Sequence, residues 1–414
     1  MDFVSMLTEE NAYIFNSVWV LCASVFVFFM QAGFACMESG FARSKNACNI
    51  WLKNLCDFCV GALVYYFIGF GIMYGDDWNG IIGINGFFNP LDQDLQIWEG
   101  MGLSKHIFLL YQTMFCATTA TIISGSVAER FKFNSYLIVS TVMTAFIYPV
   151  VGHWIWGGGW LSNIGFSDFA GSTAVHFVGA CAAFMGAFMV GPRIGKYSKD
   201  GKSRAIPGHN IPMGILGAMI LWFGWYGFNP GSELALDETT FYTTITTTLT
   251  GCAGGLAGLF ISWIKYKKPD PTLAANGALA ALVGICTSVA EVSYVGSIII
   301  GVFCGTLIVF TLEFVDKKLH VDDPVGAISL HGGSGLCGTI LAGFLSTEKG
   351  LLYGHGASYL GSQLIGVISV AAFCMVTTFI VFFVLKKTIG IRVSEEEEIA
   401  GLDIEEHGMI AYND

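Results

Sequence analysis

Charge is what this sequence has least of. Only 12% of its 414 residues are Asp, Glu, Lys or Arg, against 54% hydrophobic, whereas a soluble globular protein carries about 25% charged residues. That deficit excludes an ordinary water-soluble enzyme, and the mean hydropathy of +0.63 agrees. Basic residues are the scarcer sign, 20 against 31 acidic, and no basic patch suggests nucleic acid. A P-loop lysine motif, a G-x-S-x-G elbow and an H-E-x-x-H pair are all missing, so an enzyme, or coupling to nucleotide hydrolysis within the chain, is not expected. Carboxylates and thiols show no metal-ligand spacing. All 12 cysteines lie in or beside apolar runs, and the one C-x-x-C, Cys56 to Cys59, has no partner pair. They read as small hydrophobes, with no metal and no cofactor implied. The opening Met1-Asp2-Phe3 lacks the positive n-region of a cleaved signal peptide.

What is present is eleven apolar runs, each near the 20 residues that cross a bilayer core. They fall at 13–35, 48–74, 106–126, 134–156, 169–191, 210–229, 239–264, 271–290, 293–315, 325–346 and 357–385. Charge in the connections tests this partition independently. Of the 20 basic residues, all but Lys53, Lys105 and Lys349 fall in alternate connections and the short stretch 386–392 after the eleventh run, a bias that assigns those segments to the cytoplasm. The expected protein is multi-pass, in the cell (plasma) membrane, with its N-terminus outside and its C-terminus cytoplasmic. Lys53, inside the second run near its inner end, is expected to snorkel to the interface. The acidic 75–105 loop reads as a solvated outer cap, and the basic 192–210 loop as cytoplasmic. From Val393 onward eight acidic residues, including Glu395 to Glu398 and Asp414, stand with no Lys or Arg.

Two segments share one pattern. Asp168-Phe-Ala-Gly171-Ser-Thr-Ala-Val-His176 opens the fifth run, and Asp323-Pro-Val-Gly326-Ala-Ile-Ser-Leu-His331 opens the tenth. Both read D-x-x-G-x-x-x-x-H at the same place in consecutive sets of five. Five is odd, so the second set enters from the opposite side, the mark of an inverted-topology repeat whose site lies near the midplane. The expected fold is an all-α polytopic membrane protein: 11 transmembrane helices, a five-plus-five inverted repeat and an extra C-terminal helix. Its parts are a first half, 1–191; a cytoplasmic linker, 192–209; a second half, 210–346; the eleventh span with its flanks, 347–392; and an acidic regulatory tail, 393–414.

Eight residues of helix carry each histidine about 12 Å from its aspartate. In a core about 30 Å thick, both then reach similar depth from opposite faces and could meet. Each aspartate also has a plainer role as a helix N-cap, with Pro324 at a preferred first position. Capping alone does not call for a histidine eight residues later, and paired intramembrane histidines point to function. An imidazolium loses its water on burial, so neutral rings that relay a proton or bond a small polar solute are expected. The 52 glycines, with runs such as Gly157-Gly158-Gly159 and Gly332-Gly333, signal close helix packing first.

At this point the residues resemble the signature of the ammonium transporter (Amt/Mep/Rh) family, Amt branch. The likeness runs from Gln31-Ala-Gly-Phe-Ala-Cys-Met-Glu38-Ser-Gly through Gln112-Thr-Met-Phe115, Gly125-Ser-Val-Ala-Glu129-Arg130 and Trp156-Gly-Gly-Gly. It continues in Asp168 to His176, Met189-Val-Gly-Pro-Arg193, Trp225-Tyr-Gly-Phe228-Asn-Pro-Gly-Ser232, His331-Gly-Gly-Ser-Gly and the tail Gly401-Leu-Asp-Ile-Glu-Glu-His-Gly-Met. It covers essentially 10–410. The resemblance implies an outer vestibule of Trp156, Ser232 and Phe115 that recruits ammonium, with Asp168 supporting it or assisting deprotonation. It implies a gate of Phe115 over Phe228, and a pore lined by His176 and His331. A homotrimer with one pore per subunit is implied as well. So is a tail, Gly401, Leu402 and Asp403 within it, that couples subunits and meets a PII-class nitrogen-regulatory protein. On composition alone Phe115, Trp156 and Phe228 would read as packing; the resemblance reverses this, and leaves Gln112 and Trp225 between support and packing.

The function so implied is recruitment of ammonium, deprotonation, and passage of ammonia with or without its proton through the bilayer. Three rivals stand beside it. One is an ammonium sensor that signals through its tail with little transport. Another is a gas channel like the Rh branch, against which Trp156 with Ser232 speaks. The last is an electron carrier with haem on the two histidines. In the tail, Ile399, Leu402, Ile404 and Met409 are expected to dock beneath the basic loops.

Overall fold

A computed structural model describes residues 9–412, so the Met1 end and Asp414 lie outside the described residues. Among the described residues ten helices are long and apolar enough to cross a membrane: Asn11–Phe41, Ser44–Tyr74, Lys105–Val127, Phe133–Asn163, Ser172–Val190, Ile211–Gly231, Glu238–Tyr266, Tyr294–Lys318, Ile328–Leu345 and Ser358–Thr388. Between the seventh and eighth of these lies a shorter apolar helix, Pro271–Ile285. Counting it in chain order gives spans 1 to 11, each matching one apolar run of the sequence. The chain is a multi-pass membrane protein.

Local chemistry starts several spans where the sequence predicts. Asp237 accepts from the backbone N–H groups of Thr239 and Thr240 ahead of span 7. Asp270 caps span 8 with Pro271 at its first position, and Ser293 caps span 9. The carbonyls just past the end of span 8 do not go unpaired. Cys286 and Thr287 accept from Ala170 and Phe169, which brings the approach to span 5 against the end of span 8.

The two five-span sets meet in opposite senses. The end of span 1 lies beside the start of span 6, where Asn210 N–H donates to the Gly40 carbonyl at 3.1 Å. Close approach there requires small residues: a Cβ on Gly217 would collide with backbone of span 1 at Met37 and Gly33. Span 11 packs outside this pair of sets, its buried face including Gln363, Val370 and Phe382.

Span 2 is built inside out. Its buried positions include Ile50, Lys53, Asn54, Asp57 and Gly61, at helical spacing, while Trp51, Leu55 and Leu63 are exposed. Lys53 does not snorkel. It is fully buried, its Nζ 5.7 Å from the Tyr136 ring centroid, because its place on the inward face points it between helices rather than along the lipid. The 75–105 loop is also more than a solvated cap. A short hairpin, Asp77–Trp78 with Ile82–Gly83, precedes a stretch that buries Leu95 and Leu103 and stacks Trp98 on Phe70 at 5.3 Å.

Nearly all the basic segments gather on one face, and the tail folds against them. Lys45 Nζ donates to the Glu398 carbonyl at 2.8 Å. Arg392 pairs with the Glu398 carboxylate at 2.7 Å, and that carboxylate also accepts from Ile194 N–H. Asp403 caps span 2, accepting from Cys48 and Asn49 N–H at 3.0 and 2.8 Å. Gly401 takes φ +112° where the tail turns over Lys45. The expected apolar docking holds for Leu402, which is fully buried. It fails for Ile399, Ile404 and Met409, all at least half exposed, because the hydrogen bonds that Asp403, Glu398 and Glu406 accept set the tail's register and turn those three side chains outward.

Candidate functional site

The repeated D-x-x-G-x-x-x-x-H segments form the same structure twice. Asp168 Oδ1 accepts from Gly171 N–H at 3.1 Å, and its Oδ2 accepts from Thr173 and Ala174 N–H at 2.8 Å each. Asp323 accepts from Gly326, Ala327 and Ile328 N–H at 3.1, 3.1 and 2.7 Å. The glycine between is needed in both, since Gly171 and Gly326 have φ of +107° and +80°, a region closed to most side chains. The next turn is wide in both, Ser172–Phe177 and Ile328–Gly333 being π-helical. Such turns recur at functional sites because they leave the regular ladder and re-aim a side chain. Here they re-aim His176 and His331.

The two rings lie side by side. Nδ1 of His331 is 3.1 Å from Nδ1 of His176, and the planes are 18° apart with centroids 5.2 Å from each other. One nitrogen must hold a hydrogen toward the other, so this contact fixes opposite tautomers across the pair. His176 Nε2 is buried without a protein partner. Trp225 and Phe228 stack on His176 at 5.4 and 5.2 Å, which settles Trp225 as a wall of this site; its indole N–H donates to Cys286 Sγ.

On the face away from the tail a cavity of about 350 Å³ opens above Phe115. Trp156, Ser232, Gln112, Tyr111 and Phe169 line it. Phe115 and Phe228 stack at 4.2 Å between this cavity and His176. Ser232 Oγ donates to the Phe228 carbonyl at 2.7 Å and lies 3.3 Å from the Tyr111 hydroxyl, which leaves it a lone pair to accept with. Trp156 is half-buried, and its Nε1 donates to the Asp168 backbone carbonyl at 2.7 Å. Asp168 itself does not line the cavity: it is 3% exposed, and Thr287 Oγ1 supplies a fourth donor at 2.8 Å. Burial pushes both capping carboxyls above the ordinary carboxylate value, Asp323 to about 6, and the backbone N–H groups only partly oppose it.

On the tail side of His331 the lining is Phe34, Met37, Ile122, Leu221, Leu279 and Leu330 around a cavity of about 20 Å³, with Glu38 in its wall. That is room for one water-sized guest. Two contributors carried no signal in the sequence reading. Tyr111 fixes Phe228 and Ser232 through its hydroxyl, within 2.9 Å of the Gly227 and Phe228 carbonyls. Glu38 sits in a quoted motif without a role. The tail residues Gly401, Leu402 and Asp403 are away from this axis and contact the start of span 2, at Lys45, Asn46 and Cys48.

The sequence model of the Ammonium Transporter Family matches residues 18–412. Ammonium transporter Amt2 of Archaeoglobus fulgidus is 43% identical, over 98% of this chain and 90% of its own length. A putative ammonium transporter of Synechocystis is 42% identical, over 97% and 90%. Among solved structures, one described as a sensor Amt protein superposes with a TM-score of 0.92 at 37% identity, covering 97% of this chain and all of the other. Mep2 of Candida albicans gives 0.85 at 27%, covering 95% and 90%. With the family model spanning nearly its whole length, the chain belongs to the ammonium transporter family.

Proposed function

We propose that the protein takes ammonium into the cavity above Phe115, removes a proton there, and conducts ammonia along His176 and His331. The observation that supports this most is the order along one axis: a polar-rimmed cavity, a stacked aromatic pair, a histidine pair, and a mostly apolar pocket too small for a hydrated ion. The indole of Trp156 attracts a cation by its quadrupole, and Ser232 accepts an ammonium N–H. Beyond the rings an ion would shed its water into an apolar corridor at a cost of several kcal/mol. Potassium matches ammonium in size but has no proton to give up. Ammonium escapes the penalty by leaving its proton behind, and the unpartnered Nε2 of His176 offers neutral ammonia a hydrogen bond.

In this reading Phe115 and Phe228 gate the axis, and Asp168 supports the site through Trp156 and the wide turn, not by touching substrate. Residues 1–191 and 210–346 are the mirrored halves, 192–209 links them, 347–392 holds the eleventh span, and 393–414 regulates. The tail-bearing, basic face is cytoplasmic in a plasma membrane, and the protein works as a homotrimer whose tail, Gly401 to Asp403 included, meets a PII-class regulator. Currents from protein on a solid-supported bilayer, with pulses of ammonium, methylammonium and potassium, test the function. Ammonium should evoke current or isotope flux and potassium neither. With His176 and His331 both changed to Leu, unchanged ammonium-evoked current and unchanged potassium exclusion would reject the relay.

The similarity to a sensor Amt protein favours a second reading, an ammonium sensor with little transport. Ammonium binding without flux in the same vesicles would select it.

A further inference from the structure

We propose that Glu38 is the proton-accepting group on the tail side of the histidine pair, taking the proton left by ammonium from His331 and returning it to ammonia that has passed the pore. The inference rests on the conduction reading above. Glu38 and His331 are the two titratable residues in the wall of the tail-side cavity, which is otherwise apolar. The carboxylate is held from behind: its Oε2 accepts from Ser124 Oγ at 2.8 Å and from Asn54 Nδ2 at 3.1 Å. Its Oε1 makes no hydrogen bond among the described residues. That oxygen faces Gly125, where an added Cβ would stand 3.4 Å away in ordinary contact. The cavity has room for about one water, and both Glu38 and His331 line it.

The nearby alternative acceptor is less suited. Asp323, which precedes the same helix as His331, spends its oxygens on three backbone N–H groups. The charged and titratable groups facing Glu38 are few. Lys53 and Asp57 stand on span 2, and Asp323 with His331 on the approach to and in span 10. Span 3 offers Ser124, and spans 6 and 8 present Leu221, Trp225 and Leu279. Lys53 Nζ is buried without a hydrogen bond and lends positive potential to the carboxylate. The steps balance. Ammonium gives its proton to the histidine pair, leaving ammonia and, by transfer across the His176–His331 contact, an imidazolium at His331; this gives the proton to Glu38 carboxylate, leaving neutral imidazole and a carboxylic acid. The acid then protonates ammonia, leaving carboxylate and ammonium.

The test uses the full chain in proteoliposomes on a solid-supported bilayer. Glu38→Gln keeps the shape but cannot ionise, and should cut ammonium-evoked current at least ten-fold and flatten its pH profile. Glu38→Asp should restore a third or more of the current. Wild-type infrared difference spectra, ammonium minus potassium, should show a protonated-carboxyl band, a readout independent of how any variant folds. Undiminished current in folded Glu38→Gln beside an active wild type, or no such band, overturns the proposal and leaves the conduction reading standing. Absence of ammonium response in the wild type removes both.

Discussion

Asp168→Asn separates a positioning carboxylate from a proton-accepting one. The carboxylate takes four donors, three backbone N–H groups and the Thr287 hydroxyl. An amide has one oxygen. Its best orientation keeps that oxygen on Thr173 and Ala174 and turns the NH₂ toward Thr287, whose hydroxyl can accept and redirect its hydrogen to Thr339, 3.0 Å away. Gly171 N–H is then orphaned inside the protein. One buried unsatisfied donor costs about 1–3 kcal/mol, and the lost charge-assisted bonds add about 1 more. The expected loss is therefore about 2–4 kcal/mol, measurable by reversible unfolding in mixed detergent and SDS micelles. Transport should fall with it, because Trp156 hangs on the Asp168 carbonyl and His176 on the turn that Asp168 closes. Asp323→Asn should cost about as much on the tail side, where three N–H groups make the same cap. If Asp168→Asn unfolds like wild type yet abolishes transport, the cap argument is wrong and Asp168 acts on the proton directly.

Three further outcomes are expected. Phe115→Ala removes a ring buried to 2% and stacked on Phe228; it should cost about 3 kcal/mol, the low end for such truncations beside a cavity, and admit a potassium-evoked current absent in wild type. Asp322 is deeply buried, which raises its carboxyl, but the bidentate bond from Arg193 and the charges of Arg193 and Arg130 win and hold it well below the usual carboxylate range. Its stabilisation is therefore present above about pH 4, the unfolded value, and is lost as pH falls toward the depressed one. Asp322→Asn should lose about 3–5 kcal/mol at neutral pH and flatten the acid limb of the stability profile; an unchanged limb refutes the assignment. Gly401→Ala places a Cβ 2.7 Å from Lys45 at a left-handed φ, so the tail should lift and trypsin should cut at Arg392 at least ten-fold faster; equal cleavage rates would show the tail held elsewhere.

The spans were legible because hydropathy and the distribution of lysine and arginine depend on one variable, depth in the bilayer. The depth of the histidines was legible too, since helix rise fixes it. What the sequence hid is lateral. Nothing in the spacing of Lys53 distinguishes a side chain that reaches along the lipid from one turned between helices; only its sharing a face with Asn54 and Asp57 does, and that stripe reads as polar noise in an apolar run. Tyr111 was hidden for the same reason, being one aromatic among many. The tail misled through its hydrophobic residues. Ile399 and Ile404 look like docking groups, but the register is set by Asp403 over span 2 and Glu398 on Arg392.

The two histidine segments are alike in sequence and local geometry, yet their surroundings differ, and the difference has a direction. Around Asp168, the neighbouring groups are hydroxyls: Thr287 on the carboxylate, with Thr339 bridging Thr287 to Thr173. Around Asp323 they are charges. Its neighbour Asp322 is gripped by Arg193, which also pairs with Glu129 at 2.7 Å, and Arg43 bonds the same Glu129. Glu129 itself is held at φ +73°, a strained conformation for a residue with a side chain. That ion cluster touches the tail, for Glu398 accepts from Ile194 N–H, the residue after Arg193. A mirrored pair of turns thus gains one end fixed by neutral hydrogen bonds and one end wired to charge. Any perturbation of the tail that shifts Arg193 reaches Asp322, then the Asp323 cap, then His331, and arrives at His176 only through the contact between the two rings. Arg193→Lys should accordingly disturb the His331 side first and most. Histidine-selective ¹⁵N spectra would show the larger shift at His331, and equal shifts at both rings would refute the asymmetry.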